Sequence, residues 1–258
     1  MKNIDLNCDL GEDPQAIRDG TDAALMASIS SANIACGGHA GDPWSMEESV
    51  RSALRHGVAL GAHPGYPDRE RFGRVALTST AEEIERFVHE QVRALAAVAS
   101  RVGARLAHVK PHGALYHAAM QDLSVAEAFA RGVVRVEHDL VLYGLAGSPT
   151  LDLWRGLGLP VAREAFADRR YERDGSLRSR THADALILEP DGAAEQSLAI
   201  ARGEGVRSWE GTPVGVEADS ICIHGDTPGA TAILREVRAR LENAGFRIGR
   251  VENATRRA

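Results

Sequence analysis

Four times in this sequence a short apolar run ends in a turn that sets glycine or proline beside a titratable side chain. The turns are Cys36-Gly37-Gly38-His39-Ala40-Gly41-Asp42-Pro43, His63-Pro64-Gly65, Lys110-Pro111-His112-Gly113 and His224-Gly225-Asp226-Thr227-Pro228-Gly229. Each run reads as a buried strand and the pattern behind it as a helix. After the first turn, Met46, Val50, Ala53 and Leu54 fall on one helical face. Asp42 is placed to cap that helix, and Pro43 suits its first position, where a missing N–H costs nothing. A histidine at a strand's carboxyl end is badly placed for packing and well placed for chemistry. Strand, polar turn and helix in repetition predict a parallel sheet whose turns collect on one rim.

Seven strands are expected: Ile4–Asp9, Ser31–Cys36, Val58–Ala62, Arg105–Val109, Leu140–Leu145, Pro160–Glu164 and Asp219–His224. The count predicts an α/β fold, an irregular TIM-like (β/α) barrel of about seven core strands. An open doubly wound sheet is the alternative, but no Gly-rich fingerprint opens the first strand-to-helix turn. In the first strand Ile4, Leu6 and Cys8 alternate with Asp5, Asn7 and Asp9. Three polar residues on a barrel's inner face are costly unless they line a wet site at the rim; an edge strand with a solvated side competes. Helices are expected over Asp22–Met26, behind a capping box at Thr80/Glu83 or Ser79/Glu82, behind Ser124-x-x-Glu127, over residues 149–158 and 193–202, and after Thr227 with Pro228 at the first position. The helix after Thr80 carries Ile84, Phe87, Val88, Val92 and Leu95 on one face and reads as a core helix, with His89 solvated. Val206–Glu217 reads as a hairpin and Ala185–Leu188 as a strand or loop. The loop from His63 to about Thr78 is long for its kind, a mark of function or mobility.

At 258 residues and 44% hydrophobic, the chain fits one barrel domain over residues 1–258. The net charge of -6 and pI near 5.9 give no basic stripe, and Arg256 and Arg257 are too few for a nucleic-acid partner. No run of about 18 apolar residues predicts a membrane span. The first residues lack a signal peptide's apolar region, and Cys8, Cys36 and Cys222 lie far apart at strand ends, as buried reduced thiols do. A cytoplasmic location is expected.

The candidates for chemistry are Asp9, Glu12, His39, His63, Lys110, His112, Glu164, Asp168, His224 and Asp226. Two uses compete. Imidazoles and a carboxylate can hold a divalent metal, with His39 and His63 as ligands and Asp9 beside them. Carboxylate–histidine pairs can also transfer protons with no metal. Asp226 is equally well read as an auxiliary helix cap. No HExxH, GxxxxGK[ST] or GxSxG motif decides the matter.

Six stretches carry a resemblance: Asp5–Glu12, Ser31–Asp42, Gly61–Asp68, His108–Tyr116, Phe166–Arg169 and His224–Ala230. Together, and in this order, they resemble the LamB/YcsF family, the A subunit of the bacterial ATP-dependent 5-oxoprolinase. The resemblance runs from about Asp5 to Ala244 and implies a barrel related to glycoside hydrolases and deacetylases. It implies cleavage of 5-oxo-L-proline to L-glutamate with ATP as co-substrate, in a complex with subunits B and C. On this reading Asp9, Lys110, His112, Glu164, Asp168, His224 and Asp226 form the catalytic set. Asn7, Asn33, Arg74 and Arg169 bind substrate, and His39 and His63 hold any metal. The sequence departs from the family pattern in the short loop after Glu12, at Arg71, Val75 and His117, and in Ser179–Asp184, which lacks the usual Pro-Gly. A metal-dependent amidohydrolase or deacetylase without ATP, and a non-catalytic lactam-binding subunit, are the alternatives.

Overall fold

The structure is a computed structural model and describes residues 2–252; Arg256 and Arg257 lie outside them. In chain order it contains β1 (Asn3–Leu10), α1 (Pro14–Arg18), α2 (Thr21–Met26), β2 (Ser31–Ala35), α3 (Pro43–His56), β3 (Ala59–His63), α4 (Ala81–Arg101), β4 (His108–Val109), α5 (Gly113–Gln121), α6 (Leu123–Val134) and β5 (Val141–Leu145). There follow α7 (Pro149–Gly156), β6 (Val161–Phe166), α8 (Pro190–Arg202), the antiparallel pair β7 (Val206–Arg207) and β8 (Pro213–Val214), β9 (Ser220–His224), α9 (Ala230–Asn243) and β10 (Arg247–Ile248). Seven parallel strands close a barrel in the order β1-β2-β3-β4-β5-β6-β9, with β9 pairing back to β1. The added strand β10 pairs with Asn3 and Ile4, just before β1 meets β9 at Asp5.

Local chemistry sets the element ends. Asp42 accepts from the Ser45 N–H at 2.8 Å, Pro43 opens α3, and Gly57 closes it at φ 67°. Thr80 and Glu83, not Ser79 and Glu82, form the reciprocal box at the start of α4. Two expected caps are corrected. Asp122, which also ends α5, takes the Ser124 N–H at 2.8 Å and so caps α6 in place of Ser124. The last helix starts at Ala230 behind Gly229, because the Thr227 hydroxyl is committed to Asp168 at 2.6 Å. Of the expected strand at Arg105–Val109 only His108 and Val109 pair, and Ala185–Leu188 contributes a single bridge, Leu186 to Arg169.

Ile4, Leu6, Cys8 and Leu10 are buried in the apolar core, while Asp5, Asn7 and Asp9 face the lumen as their alternation predicts. The lumen is not wet throughout. Asp5 has no exposed surface and accepts from four hydroxyls, those of Ser30, Ser31, Tyr143 and Ser220. Burial raises its pKa, and the four donors offset part of that cost. The lumen is therefore a dry hydrogen-bonded plug at this depth. Gly61 serves the packing: a Cβ there would stand 2.0 Å from Nε2 of His108, whose ring fills the space. No helix of the described residues is long and apolar enough to cross a membrane.

Candidate active site

Lys110, just past β4, stands on the floor of a cavity at the carboxyl ends of the strands. Its Nζ lies 2.9 Å from Oδ1 of Asp9 and 2.9 Å from Oε1 of Glu164, with Asn7 Oδ1 at 3.3 Å and Cys222 Sγ at 3.0 Å. Burial alone would lower the pKa of this ammonium. The carboxylates, Asp9 first, outweigh it and hold the pKa well above the ordinary lysine value. Asp9 answers in kind: burial opposes its charge, yet His63 and Lys110 keep it well below the usual carboxylate range.

One layer below, Asn7 donates to Glu164 at 3.0 Å and to Ser220 at 2.8 Å. Asn33 donates to Asn7 at 2.7 Å and to Asp9 at 2.8 Å. The His108 ring, kept neutral by burial with its pKa pushed down to about 3, donates to Asn33 at 2.8 Å. Asn7 and Asn33 have no exposed surface and do not line the cavity. Expected as substrate contacts, they instead have their amides spent on the acids they orient.

Beside this floor, the loops after β1, β2 and β4 bring Glu12, His39 and His112 to His63 at the end of β3. Oε1 of Glu12 lies 3.0 Å from His39 Nε2, 3.3 Å from His112 Nδ1 and 3.9 Å from His63 Nε2. His112 Nδ1 and His63 Nε2 are 3.0 Å apart. The His39 and His112 rings stack with centroids 3.5 Å apart. Burial lowers the pKa of both, that of His39 to about 3. Asp9 outweighs burial at His63 and raises it. These four side chains could hold a metal; their ligand atoms all fall within 4.8 Å of one another. The set differs from the expected His39, His63 and Asp9. Asp9 Oδ1 is taken by Lys110 and Asn33, and its Oδ2 stands 3.4 Å from His63 Nε2.

Across the floor, Asp168 accepts from the His224 backbone N–H, from Thr227, and from His224 Nδ1 at 3.0 Å. Burial opposes its charge, but His224 and these donors bring the pKa down to about 2. The cavity they border has a volume of about 550 Å³; Asp9, His63, Lys110, His112, Arg169 and His224 are among its lining. Glu164 sits behind Lys110, and His39 behind His112 facing a smaller cavity of about 210 Å³. At the mouth Asp226 pairs with Arg74 and with Arg180, the latter at 3.0 Å, so it is no helix cap. Arg169 is buried and bonds the Arg178 carbonyl at 2.6 Å, while its Nε has no partner. Burial and then Arg180 lower its pKa.

Three contributors were not among the expected site residues. Arg180 and Tyr116 line the cavity, Arg180 from a stretch with no periodicity to mark it. Gln91 of α4 donates to the Gly65 carbonyl at 2.8 Å and accepts its N–H at 3.1 Å, fixing the loop behind His63. A glutamine falling on the apolar stripe of Ile84, Val88 and Leu95 was the available sign.

The LamB/YcsF family profile matches residues 4–256 of this chain. The chain belongs to the LamB/YcsF family. This LamB/YcsF protein is 52% identical over 248 residues to the 5-oxoprolinase A subunit of Chloroflexus aggregans, covering 96% of this chain and 98% of the relative. It is 41% identical to the lactam utilization protein of Thermus thermophilus, whose crystal structure superposes with a TM-score of 0.89 over 96% of this chain and 99% of that one. A GH113 β-1,4-mannanase, 11% identical with a TM-score of 0.53 over 94% of this chain and 99% of that one, shares the barrel fold alone.

Proposed function

We propose that this chain is the A subunit of an ATP-dependent 5-oxoprolinase, opening 5-oxo-L-proline to L-glutamate with ATP as co-substrate and with subunits B and C as partners. The likeness to a lactam utilization protein and to a relative named as the 5-oxoprolinase A subunit supports the family of reactions. The observation that carries the reading is a buried guanidinium, Arg169, with an unpartnered Nε beside a floor of paired Lys110, Asp9 and Glu164. A small substrate bearing a carboxylate and a carbonyl matches that distribution of charge.

A five-membered lactam is a stabilised amide, so its oxygen must be activated. In the proposed sequence the lactam oxygen attacks the γ-phosphorus of ATP, a P–O bond forms and ADP leaves. Water then adds to the ring carbon and loses its proton to Asp9. The adduct opens to product only if nitrogen leaves; loss of phosphate would return the lactam. His224, held by Asp168 through Nδ1, supplies the proton to nitrogen as the C–N bond breaks. The acyl phosphate left behind hydrolyses to glutamate and phosphate. Lys110 faces the charge that grows on oxygen, and Arg169 takes the substrate carboxylate. Asp226 sets Arg74 and Arg180 at the mouth, toward the phosphate. The whole chain acts as one barrel domain, and three buried reduced thiols with ATP as co-substrate fit the cytoplasm.

The test is glutamate and ADP formation by this chain alone and with its B and C partners. Matched, ATP-dependent release of both from the complex is expected, with little or none from the chain alone. No glutamate from the complete set would refute the assignment. Glutamate without ATP would favour the amidohydrolase reading that the Glu12–histidine cluster also suits.

A further inference from the structure

We propose, resting on the 5-oxoprolinase reading, that Cys222 is a positioning residue for Lys110: its sulfur holds one ammonium hydrogen weakly, in reserve for the oxygen of the bound substrate. An ammonium carries three hydrogens, all of them donors. Around Lys110 Nζ stand four acceptors: Asp9 Oδ1 and Glu164 Oε1 at 2.9 Å, Cys222 Sγ at 3.0 Å and Asn7 Oδ1 at 3.3 Å. The two carboxylates take one hydrogen each, since bonds between charged partners are the strong ones. Asn7 Oδ1 makes the longest contact and already accepts from Asn33 at 2.7 Å. The third hydrogen therefore leans on sulfur.

Burial pushes the Cys222 thiol well above its ordinary pKa despite Lys110, so the sulfur is neutral. A neutral thiol is a weak acceptor. Its neighbours on the lumen face of β9 are strong hydrogen-bonding groups: Ser220 donates to Asp5 at 2.5 Å, and His224 Nδ1 meets Asp168 at 3.0 Å. Between them, the position that faces Lys110 carries the side chain that lets go. Were an oxygen there, all three ammonium hydrogens would be bound to oxygen, and a substrate oxygen would have to break a strong bond to reach one. From sulfur the third hydrogen moves at little cost, and its bond to the substrate strengthens as charge grows on the lactam oxygen. Lys110 lines the cavity, whereas Cys222 has no exposed surface and is not among the lining, so it acts through the ammonium. Packing is the competing account, since Cys222 also joins the apolar core.

The two accounts order two substitutions oppositely. Cys222→Ala removes the acceptor and leaves a small void; Cys222→Ser nearly keeps the size and sets an oxygen against the ammonium. The test measures kcat and KM for 5-oxo-L-proline in the assembled complex. We expect Cys222→Ala to keep kcat within about threefold and Cys222→Ser to lower it about tenfold or more, with KM within about twofold in both. For a packing residue the void costs more than the hydroxyl. That reverse order, or a loss confined to KM, would overturn the proposal while the wild-type complex still makes glutamate. A wild-type complex that makes none refutes the 5-oxoprolinase reading and takes this proposal with it. Should either variant fold poorly, infrared spectroscopy of the wild-type complex decides. The Cys222 S–H band, assigned by its absence from the other variant, should shift when 5-oxo-L-proline is added well above its KM. A band that stays in place would overturn the reserve role.

Discussion

Lys110 stands between two carboxylates whose burial its charge makes tolerable. Lys110→Met leaves Asp9 and Glu164 without it and should cost about 3–5 kcal/mol of stability, read by denaturant unfolding. In the assembled complex kcat should fall by about 10²-fold or more. A raised KM with unchanged kcat would instead assign the ammonium to the substrate carboxylate. Asp168 gives a pH-dependent check. A carboxylate whose pKa is depressed to about 2 in the folded state stabilises the fold above its unfolded value, near 4. That contribution is lost as pH falls through 2, so the stability gap between wild type and Asp168→Asn should shrink by about 2 kcal/mol between pH 4 and pH 2. Such residues were legible because strand parity and strand-end turns declare themselves in sequence. What parity could not tell was depth: Asn7 and Asp9 share a face, yet Asp9 borders the cavity and Asn7 lies beneath it.

Elements were legible where caps and periodicity agree, as in α3 and α4, and less so where one residue has two duties. Asp122 ends α5 and caps α6, and Thr227 serves Asp168 instead of its helix. The α4 helix reads from its stripe as core packing alone, but Gln91 makes it a brace for the His63 loop. Gln91→Leu removes two hydrogen bonds and should cost about 2 kcal/mol. It should also lower kcat/KM of the complex about tenfold by letting that loop shift; a stability loss with unchanged kinetics would remove the brace role. In α2, burial pushes Asp22 up to about 6 despite the Gly11 N–H that it accepts. An acid with a raised folded pKa opposes folding above its unfolded value, with the full cost above pH 6. Asp22→Asn keeps an acceptor and should stabilise the protein by about 2 kcal/mol at pH 8, with no gain below pH 4, compared by urea unfolding.

At the scale of the molecule, strand count and spacing gave the closed barrel, but no local pattern could show which side chains meet across the lumen. Cys8, Cys36 and Cys222 are all buried, and burial pushes the Cys36 thiol up to about 12. Ellman's reagent should therefore find no reactive thiol in the native protein and all three after denaturation; rapid native labelling would mean that the barrel opens. The crowded lumen also restricts the order in which its sequence can drift. While the His108 ring occupies the space before Gly61, every side chain at 61 collides with it, so no single step at that position is viable. Trimming His108 first frees the space, at the cost of an unanswered oxygen on Asn33. A lineage can thus substitute position 61 only after His108 has been trimmed, and can restore His108 only after position 61 has returned to glycine, so the order of the two changes is fixed in both directions.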